Sequence, residues 1–368
     1  MADKTETKPL DLSFTITDQN HLPNDTIQVL KFHPSNSTIL AAGCWDETVR
    51  IYQLAANMGQ KAIVQQASVS VGAPVLDLVW IPNGQGIFLA TGDLNTNIIF
   101  LPLNSANPTP TPVGFHQGIV CLGFANIQNF ELLVTAGMDK QMAFWMMNQG
   151  KWERKFNVIL PKFPTCLDID LISNFVLVGL ECDLGIYMLE KLQKGDTSIQ
   201  VVELMLKSPI TCVKVRDKAQ DPENLFKTNE RAMTACGADG RIWYGEIKLP
   251  SFTKSDIILF KAHAKKTQLY PVNGVGFSKM NHHSMYTVSA DGCIYFWDTV
   301  KKNKLTGYSV GEGLPITAAD LSSDQSALAI AVGYDWSLGV WGTARYKLRP
   351  RIFIHQMTSN DHKRTGKN

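Results

Sequence analysis

The chain has no Cys-x-x-Cys pair, although it carries seven cysteines, at 44, 121, 166, 182, 212, 236 and 293. Their number is odd. Most fall inside apolar, strand-like runs such as Ile119-Val120-Cys121-Leu122. That pattern argues for reduced, buried thiols in an intracellular protein and against a disulfide framework or a zinc site. No uninterrupted apolar run approaches the length of a membrane span. Met1-Ala2-Asp3-Lys4-Thr5-Glu6 has none of the apolar core of a secretory signal. Net charge is scarce too. With 35 Lys and Arg against 33 Asp and Glu the formal charge is +2. Nothing global therefore commits the protein to nucleic acid or to a lipid surface, and any electrostatic role must come from local patches.

Catalytic signatures are equally thin. There is no phosphate-cradling Gly-x-x-x-x-Gly-Lys-[Ser/Thr] and no Gly-x-Ser-x-Gly elbow. Of eight histidines, His282-His283 is the one close pair. Neighbours on a strand face opposite sides, and no third ligand is evident, so the pair reads as a surface loop. No nucleophile–base constellation stands out. The expectation is a non-enzymatic chain with no catalytic residue, no cofactor and no metal.

What is present is a repeat. A small-residue strand end, an acidic turn and a β-rich run recur along the chain. Thr48-Val49-Arg50-Ile51-Tyr52 follows Gly43-Cys44-Trp45-Asp46, and Met142-Ala143-Phe144-Trp145 follows Ala136-Gly137-Met138-Asp139. Arg241-Ile242-Trp243-Tyr244 follows Asp239-Gly240, and Cys293-Ile294-Tyr295-Phe296-Trp297-Asp298 follows Ser289-Ala290-Asp291-Gly292. The last unit places Leu338-Gly339-Val340-Trp341 after Gly333-Tyr334-Asp335. The turn aspartates stand at 46, 93, 139, 183, 239, 291 and 335, spaced 44 to 56 residues apart. That is close to the length of one propeller blade, roughly 40–45 residues. Asp suits these turns because its carboxylate bonds its own backbone, and Gly because it accepts positive φ. With 45% hydrophobic residues the chain has ample material for a large core.

The fold expected is all-β, a seven-bladed WD-repeat propeller. Leu10-Asp11-Leu12-Ser13-Phe14-Thr15-Ile16-Thr17 alternates apolar and polar residues, and it is read as the outer strand of the last blade, closing the ring. A free N-terminal arm is the alternative. A pair of two-sheet sandwiches fits seven even units less well. The propeller is expected over residues 1–351, with a short basic tail at 352–368.

Three basic stretches fall on loops and strand ends: Lys261 to Lys266, Lys301 to Lys304, and Arg345 to Arg351. Each reads either as a solvated charged loop or as a cationic face for an acidic peptide or for RNA phosphate. The RNA candidates are Lys261, Lys265, Lys266, Arg345, Lys347 and Arg349.

The stretch Leu269-Tyr270-Pro271-Val272-Asn273-Gly274-Val275-Gly276-Phe277, then Ser289-Ala290-Asp291-Gly292, then Phe296-Trp297-Asp298, resembles the RAE/GLE mRNA export factors of the nuclear pore. It also resembles their relatives, the BUB-type spindle-checkpoint propellers. Phe260-Lys261-Ala262-His263 is similar to the family's Phe-Lys-Cys-His, with Ala262 in place of Cys. Tyr334-Asp335-Trp336-Ser337-x-Gly339 and the basic Lys363, Arg364 and Lys367 suit the export factors rather than the checkpoint proteins. Blades two and three depart from the pattern: Thr91-Gly92-Asp93-Leu94 lacks a Trp-Asp ending, and Met138 and Met146 stand where the family has Trp and Asp. The resemblance implies a scaffold that binds the acidic GLEBS motif of a nucleoporin, in the nucleus, at the nuclear envelope and in the cytoplasm. Further partners it implies are RNA or mRNP, and checkpoint kinases or tubulin-associated factors. A kinetochore adaptor is the alternative function. By the same resemblance Arg241, Phe260, Trp297 and Lys304 form the protein-binding surface. Arg241 suits a carboxylate, Phe260 and Trp297 are apolar anchors, and Lys304 is a point charge. Packing within the blade is the competing role for Trp297, and an ordinary surface charge for Arg241.

Overall fold

The computed structural model describes residues 7–362 except 11–14, 17–18, 58–59, 106, 128–129, 171–173, 217–229, 250, 266–267, 279–283, 312, 338 and 346–348. The described chain is almost all strand, in seven consecutive antiparallel sheets and one two-stranded ribbon, Ala264–Lys265 with Gln268–Leu269. The first holds Ile27–Phe32, Ile39–Cys44, Thr48–Asn57 and Gln60–Ser70, and the second Val75–Trp80, Gly86–Thr91, Ile98–Pro102 and Thr111–Gly114. The third holds Ile119–Ile127, Phe130–Gly137, Gln141–Asn148 and Lys151–Ile159, and the fourth Pro164–Asp170, Phe175–Leu180, Asp183–Met188 and Gln200–Glu203. The fifth holds Ile210–Val215, Glu230–Gly237, Arg241–Lys248 and Thr253–Lys261, and the sixth Val272–Phe277, Ser284–Ser289, Cys293–Asp298 and Asn303–Ser309. The seventh has Ile316–Leu321, Ala327–Val332 and Arg351–Gln356. The chain is a seven-bladed β-propeller. Among the described residues no helix is long and apolar enough to cross a membrane.

Six of the seven turn aspartates act as their spacing implies; Asp183 instead opens its strand and accepts the Leu204 N–H and the Lys162 ammonium. Between the second and third strands, a carboxylate oxygen accepts the backbone N–H two residues on: Thr48 on Asp46, Asn95 on Asp93, Gln141 on Asp139, Arg241 on Asp239, and Cys293 on Asp291. Asp335 receives Ser337 in the same way. A side chain that mimics a backbone turn is why Asp recurs there.

Two compact units divide the chain, residues 77–262 and residues 1–76 with 263–368. The first contains the second to fifth sheets from Asp77 onward. There Val134, Ala136 and Phe144 of the third sheet pack on Val176, Val178 and Tyr187 of the fourth. Leu177, Leu184 and Ile186 of the fourth pack in turn with Met233, Ala235 and Trp243 of the fifth. Inner-strand aspartates tie sheet to sheet. Asp77 Oδ2 accepts the Leu122 N–H at 3.0 Å. Asp168 accepts the Val215 N–H at 2.8 Å and the Lys214 ammonium at 2.7 Å.

The second unit contains the first, sixth and seventh sheets. Asp320 repeats the tie, accepting the Phe32 N–H at 2.8 Å. Four second strands, Gly86–Thr91, Phe175–Leu180, Ser284–Ser289 and Ala327–Val332, are buried along their whole length. A strand covered on both faces cannot alternate, so it reads as a continuous run of apolar and small residues.

Three expectations are corrected here. The N-terminal segment, in its described residues, pairs with sheets other than the seventh. Lys8–Pro9 pairs in parallel with Tyr308 and Ser309 of the sixth sheet, and Thr15–Ile16 in parallel with Ala62 and Ile63 of the first. It is still no free arm, because Leu10 is buried with Tyr308, Val310 and Phe353, and Ile16 packs on the core shared by the first and seventh sheets. The run at Val340 and Trp341 is not a strand either, since Val340–Arg345 is a short helix. Trp336 and Gly339 hold left-handed φ of 58°, which turns the chain out of the sheet. The Tyr334 ring then lies where a Cβ on Gly342 would be, so this helix has room only for glycine there. The third strand of the seventh sheet comes later, at Arg351–Gln356. It follows that the ordered sheet runs past the boundary expected at 351. Lys363, Arg364 and Lys367 lie outside the described residues.

Beyond that strand the chain docks through Asp361, which is fully buried. Its carboxylate accepts bonds from Thr306 and Tyr308 hydroxyls, from the Thr358 N–H and hydroxyl, and pairs with His355 Nε2 at 3.1 Å. Burial by itself raises its pKa, but the bonds from His355, Thr358 and Tyr308 prevail and hold it at about 2.

Two outcomes are expected. Leu10→Ala should cost about 2–3 kcal/mol in urea unfolding, as buried leucines do; unchanged stability would mean the N-terminal segment does not latch. The Asp361 carboxylate, depressed on folding from an ordinary value of about 3.9, stabilises the fold fully above that value. Its contribution, about 2 kcal/mol, should fade as pH falls from about 4 to about 2. Melting temperatures across that range should fall less steeply in Asp361→Asn than in the parent.

Candidate functional site

In the sixth sheet, Trp297 is the last residue but one of the third strand and Lys304 lies directly opposite on the fourth. The Lys304 ammonium sits 4.5 Å from the Tyr295 ring centroid, and Tyr295 meets Trp297 edge-on at 5.7 Å. The structure thus brings two of the four candidates together, with Tyr295 as a neighbour that sequence reasoning missed. Its alternating spacing two residues before Trp297 was the available signal. Trp297 is half-buried, and its Nε1 donates to Thr287 Oγ1 at 2.9 Å. That hydroxyl contacts His263 Nε2, whose Nδ1 meets Asp291. The third sheet repeats the network with Trp145, Thr135, His116 and Asp139. Trp297 therefore has a blade-packing role, as the competing reading held.

In the fifth sheet, Arg241 opens the third strand, opposite Lys261 on the fourth. Phe260 is half-buried and pairs with Ile242. Two cations facing each other across a ladder repel. Asp239 offsets them in part, its Oδ2 lying 3.2 Å from Arg241 Nη1. The guanidinium has five donors, so a second carboxylate can share it. Strand order puts Arg241 and Phe260 at the end of their sheet that carries the turn between second and third strands. Trp297 and Lys304 sit at the other end of theirs, beside the turn at Thr299 to Lys302.

Of the RNA candidates, Lys261 is exposed. Lys265 is tied to the Asp291 carbonyl at 3.1 Å and lies 5.9 Å from the Tyr270 ring centroid. Arg349 is exposed, while Lys266, Lys347 and the side chain of Arg345 lie outside the described residues. His282 and His283 also lie outside them. Among the described residues no His, Cys, Asp and Glu side chains gather in a group suited to a metal ion.

A further feature is apolar residues exposed at one end of the sheets. Leu94, Phe115, Met138 and Met205 stand at the turn between second and third strands or in the loop leading to the next sheet, which topology places at the same end. In the other unit Trp45 and Trp336 occupy equivalent turns, with Val340 and Trp341 beyond. The Tyr334-to-Gly339 motif builds the Trp336 site. Asp335 caps Ser337, the Tyr334 hydroxyl bonds the Gly339 carbonyl, and the Tyr334 and Trp336 rings lie 5.3 Å apart.

A family model described as WD domain, G-beta repeat matches residues 13–53 and 255–298. The chain is a WD-repeat propeller. The second match starts in the outer strand of the fifth sheet and ends on the third strand of the sixth, so the sequence repeat is offset from the sheet by one strand. Along about nine-tenths of its length the chain is similar to proteins of the RAE/GLE type. It is 29% identical to the mRNA export factor rae-1 of Caenorhabditis elegans, over 91% of this chain and 86% of that protein. It is 28% identical to Protein Rae1 of Drosophila melanogaster, over 90% and 91%. It is 25% identical to the mRNA export factor GLE2 of Chaetomium thermophilum, over 92% and 89%.

If Trp297 anchors its blade, Trp297→Phe should lower stability by about 1–2 kcal/mol through loss of the bond to Thr287. Trp145→Phe in the third sheet should cost a similar amount. Urea midpoints measure both, and an unchanged midpoint for Trp297→Phe would leave that residue a surface group only.

Proposed function

We propose that this WD-repeat chain is a non-enzymatic adaptor in mRNA export, one that docks at the nuclear pore by holding an acidic nucleoporin segment, the GLEBS motif. The full-length similarity to proteins named mRNA export factors supports the process. The observation that carries the docking chemistry is the facing pair Arg241 and Lys261, with Asp239 as a counter-charge. An acidic partner relieves that repulsion, and Arg241 grips a carboxylate through two parallel hydrogen bonds. In the other unit Lys304, held over Tyr295 beside Trp297, is a separate cationic candidate with an aromatic floor. The residence that goes with this role is the nucleus, the nuclear envelope and the cytoplasm. RNA contact through Lys261, Lys265 and Arg349 would be a weak, steeply salt-dependent addition.

Arg241→Glu and Lys304→Glu should each weaken capture of a GLEBS-containing nucleoporin fragment, and together abolish it. Loss of a well-paired charge contact costs on the order of 2–5 kcal/mol, a drop of roughly 30-fold or more in affinity. Surface reversals shift folding stability by only about 0.5 kcal/mol. A pull-down run beside a thermal melt reads both. Normal capture by a folded double variant would overturn the docking proposal.

A further inference from the structure

We infer that the outer strand of the fifth sheet, Thr253–Lys261, is an open edge to which an acidic, extended segment of a partner adds as a further β-strand. The inference deepens the proposed acidic-partner reading and rests on it for the sign of the partner's charge. An exposed, long, apolar edge strand presents unpaired N–H and C=O groups and invites another chain, so proteins shorten such edges, charge them or cover them. In the unit of residues 77–262 the other outer strands follow that rule. Thr111–Gly114 and Gln200–Glu203 have four residues each, and the former contains Pro112. Lys151–Ile159 has nine residues but carries Lys151, Glu153, Arg154 and Lys155.

Thr253–Lys261 also has nine residues, yet its second half reads Ile257-Ile258-Leu259-Phe260. Ile257 is 46% exposed and Leu259 41%. The register slips once, between Tyr244 and Glu246, opposite Asp256 with its positive φ of 47°. From Ile258 to Lys261 the ladder is regular. The Ala262 N–H donates to the Gly240 carbonyl, so in an antiparallel ladder Phe260 faces inward with it. The amides and carbonyls of Leu259 and Lys261 therefore point away from the sheet.

The chain already uses this mode on itself. Its own Thr15–Ile16 and Lys8–Pro9 add in parallel to the outer strands of the first and sixth sheets. The charge of the partner follows from the edge. Lys254 and Lys261 are exposed at its two ends against the single Asp256, and Arg241 stands opposite Lys261. A matching segment is free of proline, alternates apolar and acidic residues, and contributes main-chain bonds for affinity and side chains for selectivity.

The test uses the full chain and a labelled ten-residue peptide of alternating Val and Glu. Fluorescence anisotropy reads binding, and residue-resolved hydrogen exchange reads the edge. The expected result is saturable binding with the Leu259 and Lys261 amides slowed about tenfold or more. Leu259→Pro, which removes one outward N–H and no bond of the existing ladder, should with an unchanged melt weaken the peptide by a similar factor. Binding without protection of those two amides overturns strand addition and leaves acidic docking standing. No binding at all overturns the edge inference alone, because the nucleoporin pull-down reads the docking proposal separately.

Discussion

An aspartate on an innermost strand that accepts a backbone N–H from the neighbouring sheet is the contact on which this architecture depends. Asp77, Asp168 and Asp320 each do so, at 2.8 to 3.0 Å. A sheet in a propeller has only its neighbours to pack on. Apolar contact between sheets is strong but slides easily, because it has no direction. A charged acceptor fixed to one amide sets the register of one sheet against the next. Once it is set, the second strands can be apolar on both faces, as Phe175–Leu180 and Ala327–Val332 are.

That rigidity explains where binding chemistry can lie. The interior of each sheet is committed to packing, and even Trp297 is half consumed by its bond to Thr287 and, through it, to His263 and Asp291. Strand ends, turns and outer edges are less committed to that packing. The cations at Arg241, Lys261 and Lys304, the exposed turn residues and the edge at Leu259 all occupy such places.

The two chain ends show a related economy. The described residues of the N-terminal segment cover edges of the sixth and first sheets. The seventh sheet has three strands among the described residues, and the chain after it is pinned by one buried carboxylate with five hydrogen-bonding contacts. Burying a charge is costly unless every lone pair is used, and Asp361 meets that condition.

Much of this was legible in the residues alone. Strand alternation and aspartate turns are local properties, dictated by side-chain period and by what a carboxylate can reach two residues on, so the seven units and their turns could be read directly. Arg241, Phe260, Trp297 and Lys304 were proposed from motif likeness. Their partners were not, because Tyr295 over Lys304 and Thr287 under Trp297 are contacts across strands, set by register. The helix at Val340–Arg345 was misread for the same kind of reason: its apolar residues look like a strand, and only the left-handed turn at Trp336 and the Tyr334 ring over Gly342 forbid one. The N-terminal strand has the pattern of any edge strand. Which edge it joins is decided by where Leu10 and Ile16 find buried space, and pattern carries no information about that.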